Sequence, residues 1–336
     1  MNPHGLNPKE SVGPMNPEAT RLTPFGDGAT LATLERDGFR VCVTNRGAAL
    51  VSLVFPDGTD VVLGYGDGAG YRDDGYYMGP VVGRYANRIA GGRFDLNGHT
   101  WTLDPNEGAN QLHGGPDGFG RRDWSLETDA TNGHPAVRLT LDSPHLDQGF
   151  PGRVSAEALY ELEPGGLLRL TLTAASDRPT VVSLTSHAYL NLAGGGTVAG
   201  HEMRLYARRY TPLDGACLPT GAILPVAGSD LDYRQWRPFD PGLDNNVMVD
   251  GTPGDLRPVA DLRDRASGRG LTVLATAPAA QIYGGGGLGP PFVAHGGLCV
   301  EPQACPDAPN QPAFATPLVT PETPYRAVIA FQCHSV

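Results

Sequence analysis

The stretch Arg93-Phe94-Asp95-Leu96-Asn97-Gly98-His99-Thr100-Trp101-Thr102-Leu103 reads as a β-hairpin, and that reading decides the fold class. Asn-Gly is the preferred two-residue type I′ turn, because both of its positions need φ above zero. Pairing across it sets Phe94 opposite Trp101, on the face that also carries Leu96 and Leu103. Cross-strand aromatic pairs of this kind hold register.

Working outward, Val154–Tyr160 and Leu168–Thr173 form a second hairpin through Glu163-Pro164-Gly165-Gly166. Leu168, Leu170 and Leu172 alternate with Arg169, Thr171 and Thr173, which predicts one buried and one wetter face. Val137-Arg138-Leu139-Thr140-Leu141 alternates in the same way, and Arg326–Phe331 reads as a closing strand. Strands and turns run the length of the chain without a long 3.6-period apolar stripe. This predicts an all-β protein of antiparallel sheets packed as a sandwich. No repeat or linker divides it, so residues 26–336 are expected to form one domain, with residues 1–25, rich in Pro, Asn and Gly, as a loose extension.

The chain has 336 residues, 46 of them glycine and 31 proline, a density of punctuation that suits many turns. A formal charge of −11 argues against nucleic acid or an anionic membrane as partner, since both need basic surface. No stretch approaches the roughly 18 apolar residues of a membrane span. The first residues lack the basic start and apolar core of a secretion signal. Five irregularly spaced cysteines, without a C-x-x-C pair, make a disulfide framework unlikely. A cytoplasmic protein, monomer or homodimer, is the expectation, with a neutral small molecule as ligand. Cys305 is expected to be a small filler.

Three segments carry the chemistry. The run Glu301-Pro302-Gln303-Ala304-Cys305-Pro306-Asp307-Ala308-Pro309-Asn310-Gln311-Pro312 sets a carboxylate beside proline-stiffened chain, and reads as a loop aiming Glu301 into a cleft. The second is Gly83-Arg84-Tyr85-Ala86-Asn87-Arg88-Ile89-Ala90-Gly91-Gly92, followed by Asn110-Gln111-Leu112-His113-Gly114-Gly115. The third is Thr185-Ser186-His187-Ala188-Tyr189-Leu190-Asn191-Leu192. Together, and in the order in which they follow along the chain, they resemble the aldose 1-epimerases, the galactose mutarotase family, from about Thr30 to the C-terminus.

The resemblance implies a large twisted β-sandwich that interconverts sugar anomers, with Glu301 as base and His187 as acid. A free Glu titrates near about 4.3 and a free His near about 6.5, which suits these two roles near neutral pH. The resemblance also gives Asn87 and Arg88 as a substrate-binding pair, His113 as a hydroxyl or proton partner, and Tyr189, Asp244 and Gln281 as pocket residues. Around Asp244 the chain departs from the family, with Asn245 and Val247 where histidine and an aromatic are usual, so an Asx turn is an alternative there. The run Gly284–Gly289 also departs, and reads as a flexible rim rather than a dinucleotide fingerprint. Arg84 and Arg93 read as ion-pair or surface residues, and Trp124 or Phe314 as a stacking face or as core.

Ring opening transfers protons only, so neither cofactor nor metal is expected. The chain also lacks the phosphate-loop and H-E-x-x-H motifs. Two other classes stay open at this level: a glycoside hydrolase using Asp244 and Glu301, and a sugar-binding protein without turnover.

Overall fold

The computed structural model describes residues 19–129 and 133–336. Alternating apolar residues build three main antiparallel sheets. Strands Ala19–Pro24, Thr30–Arg36, Phe39–Thr44 and Leu50–Val54 form a four-stranded meander. A nine-stranded sheet runs from Ser125–Asp129 through Val154–Glu163, Leu167–Ser176 and the long C-terminal strand Tyr325–Ser335 to Arg237–Pro238. A six-stranded sheet takes the order Tyr189–Leu190, Leu298–Gln303, Ala279–Tyr283, Asp244–Val249, Ala207–Thr211 and Leu224–Pro225.

Both hairpins form, the first in the expected register. Phe94 lies opposite Trp101, and Asn97 and Gly98 take φ values of 53° and 76°, as a type I′ turn requires. In the second hairpin Leu168, Leu170 and Leu172 are fully buried, and their neighbours are half-exposed. The largest core lies where the nine-stranded sheet meets the other two, joining Leu34 and Val43, Leu139 and Leu170, and Val247, Ile282, Leu298 and Val300. In the six-stranded sheet the pleat then sends the alternate residues, Asp244, Gln281, Tyr283, Cys299 and Glu301, to the opposite face. That face is the floor of the pocket described below.

Three expectations change. Residues 19–25 do not belong to a loose extension: Ala19–Pro24 pairs residue by residue with Thr30–Glu35, and Phe25 packs on Tyr71. Residues 1–18 lie outside the described residues. Glu301 stands inside a strand rather than on a loop, opposite Gln281. Pro302 is tolerated next to it because the flanking strand Tyr189–Leu190 reaches only Cys299 and Leu298, leaving Pro302 paired on one side.

Arg84 is neither a surface residue nor directly ion-paired. It is 2% exposed, and its guanidinium donates to Ser143 Oγ and to the carbonyls of Ser143, Pro144 and Pro151 at 2.7–2.9 Å. It thus ties the Gly83–Arg88 segment to the loop after Ala136–Ser143. Replacing Arg84 with leucine would strand these acceptors without donors, so a loss of about 3 kcal/mol or more is expected. Urea unfolding checks this, and an unchanged midpoint would refute it.

Candidate active site

All eight residues put forward from the sequence line one cavity: Asn87, Arg88, His113, His187, Tyr189, Asp244, Gln281 and Glu301. Its volume, about 210 Å³, is below the roughly 300–1,000 Å³ of drug-sized clefts, as suits a single small ring.

His187 follows the two-residue strand Thr185–Ser186 and is pinned by its backbone, its N–H donating to Pro80 and its carbonyl accepting from Gly79. Its Nε2 lies 3.7 Å from Glu301 Oε1, and both side chains are almost wholly buried. On its other side Nδ1 sits 3.7 Å from the buried Cys299 Sγ. Burial pushes the Glu301 carboxyl well above the usual carboxylate range, and Asp244 raises it further. Burial lowers His187 to about 4. The pair therefore favours its uncharged arrangement, with the proton on Glu301 and His187 neutral.

Asn87 and His113 both adopt left-handed backbone and lock each other. His113 N–H donates to the Asn87 carbonyl, and Asn87 N–H donates to His113 Nδ1, each at 3.1 Å. An N–H can only donate, so Nδ1 of neutral His113 carries the lone pair and Nε2 the proton. This matters because ligand atoms of His113, His187 and Glu301 all lie within 4.8 Å of one another, a spacing that a metal ion could use. The tautomer of His113 presents a proton donor there instead of a ligating lone pair. Burial, with His187 adding to it, depresses the His113 pKa strongly and keeps the ring neutral. The glycine after it serves packing more than ligand approach. A Cβ on Gly114 would stand 1.8 Å from the Gly83 carbonyl oxygen.

Arg88 donates twice to Glu107, from Nε and Nη2, at 2.7 Å each. Gln281 Nε2 donates to Asp244 Oδ1 at 2.6 Å, and Asp244 opens its strand opposite Tyr283 rather than closing an Asx turn. Gln281 Oε1 and Glu301 Oε2 are buried without a hydrogen-bond partner among the described residues. Such atoms are costly to leave unmatched, and on a pocket floor they call for ligand hydroxyls.

The sequence reading missed the aromatic wall. Tyr77 packs 4.7 Å from the His113 ring and 5.9 Å from His187, with Arg121 on it at 5.0 Å. Asp74 holds this segment by accepting from Tyr76 N–H, Met78 N–H and Tyr65 hydroxyl. Tyr76 and Tyr283 also line the cavity. The available signal was Gly75-Tyr76-Tyr77-Met78-Gly79, two aromatics between glycines. Trp124 and Phe314 are buried in separate clusters away from the cavity and offer no stacking face. Cys305 is also buried there, against Met248 Sδ. The run after Tyr283 does form rim, but a tethered one: Gly284 N–H donates to the Leu243 carbonyl and Gly287 N–H to Tyr283 hydroxyl.

This geometry agrees with what the chain is similar to. The family model described as aldose 1-epimerase matches residues 30–332. Aldose 1-epimerase of Escherichia coli K12 is 32% identical, over 94% of this chain and 98% of that protein. Galactose mutarotase of Bos taurus is 35% identical, over 90% of this chain and 93% of that protein. A galactose 1-epimerase from Lactobacillus acidophilus NCFM superposes with a TM-score of 0.84 at 26% identity, covering 95% and 99% of the two chains. An aldose epimerase homologue from Caenorhabditis elegans gives 0.83 at 27%, covering 95% and 100%. With the sandwich, the pocket and the matched length in agreement, the chain belongs to the aldose 1-epimerase family.

Proposed function

We propose that this protein interconverts the α and β anomers of a free aldohexose such as galactose or glucose. With the pair's proton carried on His187, Glu301 takes the proton of the anomeric hydroxyl, and His187 gives its proton to the ring oxygen as the C1–O5 bond breaks. The open aldehyde rotates about C1–C2, and the same two groups, with their proton roles reversed, close the ring on the other face. His113, Asn87, Arg88, Asp244 and Gln281 address the remaining hydroxyls. The observation that carries this reading is the buried Glu301–His187 pair, 3.7 Å apart, in a cavity rimmed by hydroxyl-binding groups.

A sugar phosphate suits the site less well. Of Arg84, Arg88 and Arg93, only Arg88 faces the cavity, and Glu107 balances its charge. A hydrolase would need Asp244 as its second carboxylate, whereas Asp244 is engaged by Gln281.

Polarimetry tests the proposal. Fresh α-D-galactose and α-D-glucose should reach anomeric equilibrium faster with the protein than without it, and no acceleration for either sugar would refute it.

The pH dependence follows from the pair. Below about 4, His187 holds a proton while Glu301 is also protonated, and the base is lost. Above the raised Glu301 value both have lost their protons, and the acid is gone. Between the two, one proton is shared, so kcat/KM should stay flat from about pH 5 up to the raised Glu301 value. A fall with midpoint near about 6.5, the value of an ordinary histidine, would contradict the burial argument.

A further inference from the structure

Glu107 does not line the cavity, yet it governs Arg88, the arginine that lines it among the described residues. It stands in the short loop after Leu103, closed by reciprocal hydrogen bonds between Glu107 and Asn110. The adjacent Asn106 fixes the same loop to the site, donating to the Tyr77 hydroxyl at 3.3 Å and the Leu112 carbonyl at 3.0 Å while accepting from Leu112 N–H at 2.7 Å. Two neighbouring residues of one loop thus brace two pocket walls, Arg88 and Tyr77. The Arg88 side chain is mostly buried, and Glu107 is about a third exposed.

The ion pair has two consequences. A fork held at Nε and Nη2 leaves Nη1 as the donor turned away from Glu107, so guanidinium orientation is set before ligand arrives. It also cancels charge. The formally charged side chains at the cavity are Arg88, Asp244 and Glu301, and burial favours the uncharged form of the Glu301–His187 pair. Counting Glu107 with Arg88, the site is left with the net negative charge of Asp244. A sugar bearing a carboxylate would enter against that charge, with Arg88 already paired to Glu107 and Arg121 set behind the Tyr77 ring, donating to the Asp74 carbonyl.

We propose that Glu107 is a specificity-determining residue: its bidentate pair with Arg88 reserves that guanidinium for neutral hydroxyls and excludes anionic sugars such as hexuronates. This rests on the mutarotase reading above. The discrimination arises through an absent attraction, so it lies in charge as well as in shape.

The test compares mutarotation of D-galactose and D-galacturonate by the wild-type protein, Glu107→Gln and Glu107→Asp. Glutamine keeps the length of the side chain and removes its charge, and the position is exposed enough for the exchange to leave the fold intact. The galacturonate-to-galactose ratio of kcat/KM should rise at least about fivefold in Glu107→Gln, and the rise should shrink in about 0.5 M salt. Glu107→Asp keeps the charge with a shorter reach, so it should raise KM for galactose while leaving the ratio low. A ratio unchanged in Glu107→Gln, whatever happens to galactose turnover, overturns the proposal. A wild-type protein that accelerates neither sugar condemns the mutarotase reading instead, so the two failures are distinguishable.

Discussion

Glu301→Gln is expected to lower kcat for galactose mutarotation by about 10³-fold or more, equivalent to about 4 kcal/mol of barrier. The substitution keeps shape and hydrogen-bonding capacity and removes only the ability to accept the anomeric proton. Because burial already favours the uncharged carboxyl, the amide costs little in stability. Saturation-transfer NMR should still detect weak galactose binding. Retention of the full rate enhancement would show that the base lies elsewhere.

His187→Asn should cost roughly 10²–10³-fold in kcat. The ring stands among Tyr77, His113, Tyr189 and Tyr283, so circular dichroism and galactose binding must be compared with wild type to separate lost chemistry from lost packing. Combining the two substitutions gives a sharper measurement. Glu301 and His187 act together on the sugar in one proton relay, so the double variant should lose about as much as Glu301→Gln alone. Losses that multiplied would mean that the two residues act in independent steps.

How much of this was legible beforehand varied with the range of the interaction. The Asn97-Gly98 hairpin and the Leu168–Leu170–Leu172 face were readable because turn chemistry and period-2 burial are local. The eight pocket residues were readable because their motifs resemble those of a known family, and the structure brings them together around one cavity. Arg84 was misread because its partners are backbone carbonyls some sixty residues away, which leave no mark in its own neighbourhood. Tyr77 was missed for a similar reason: an exposed-looking aromatic pair becomes a pocket wall only when Asp74 ties it down beside His113. For Trp124 the sequence left a stacking face and core both open, and the structure makes it core, its indole N–H donating to the Phe119 carbonyl.

The sequence by itself determined that this chain is all-β, where several of its hairpins turn, and which residues of the three motifs to watch. Those properties rest on contacts within a few residues or across one turn. The tertiary structure alone decided the proton economy and the charge of the site. The Glu301–His187 pair favours its uncharged form because sheets and loops far apart in sequence close over it and exclude water. Arg88 is balanced because a separate loop delivers Glu107. Desolvation and pairing depend on distances in space, and no local pattern encodes them.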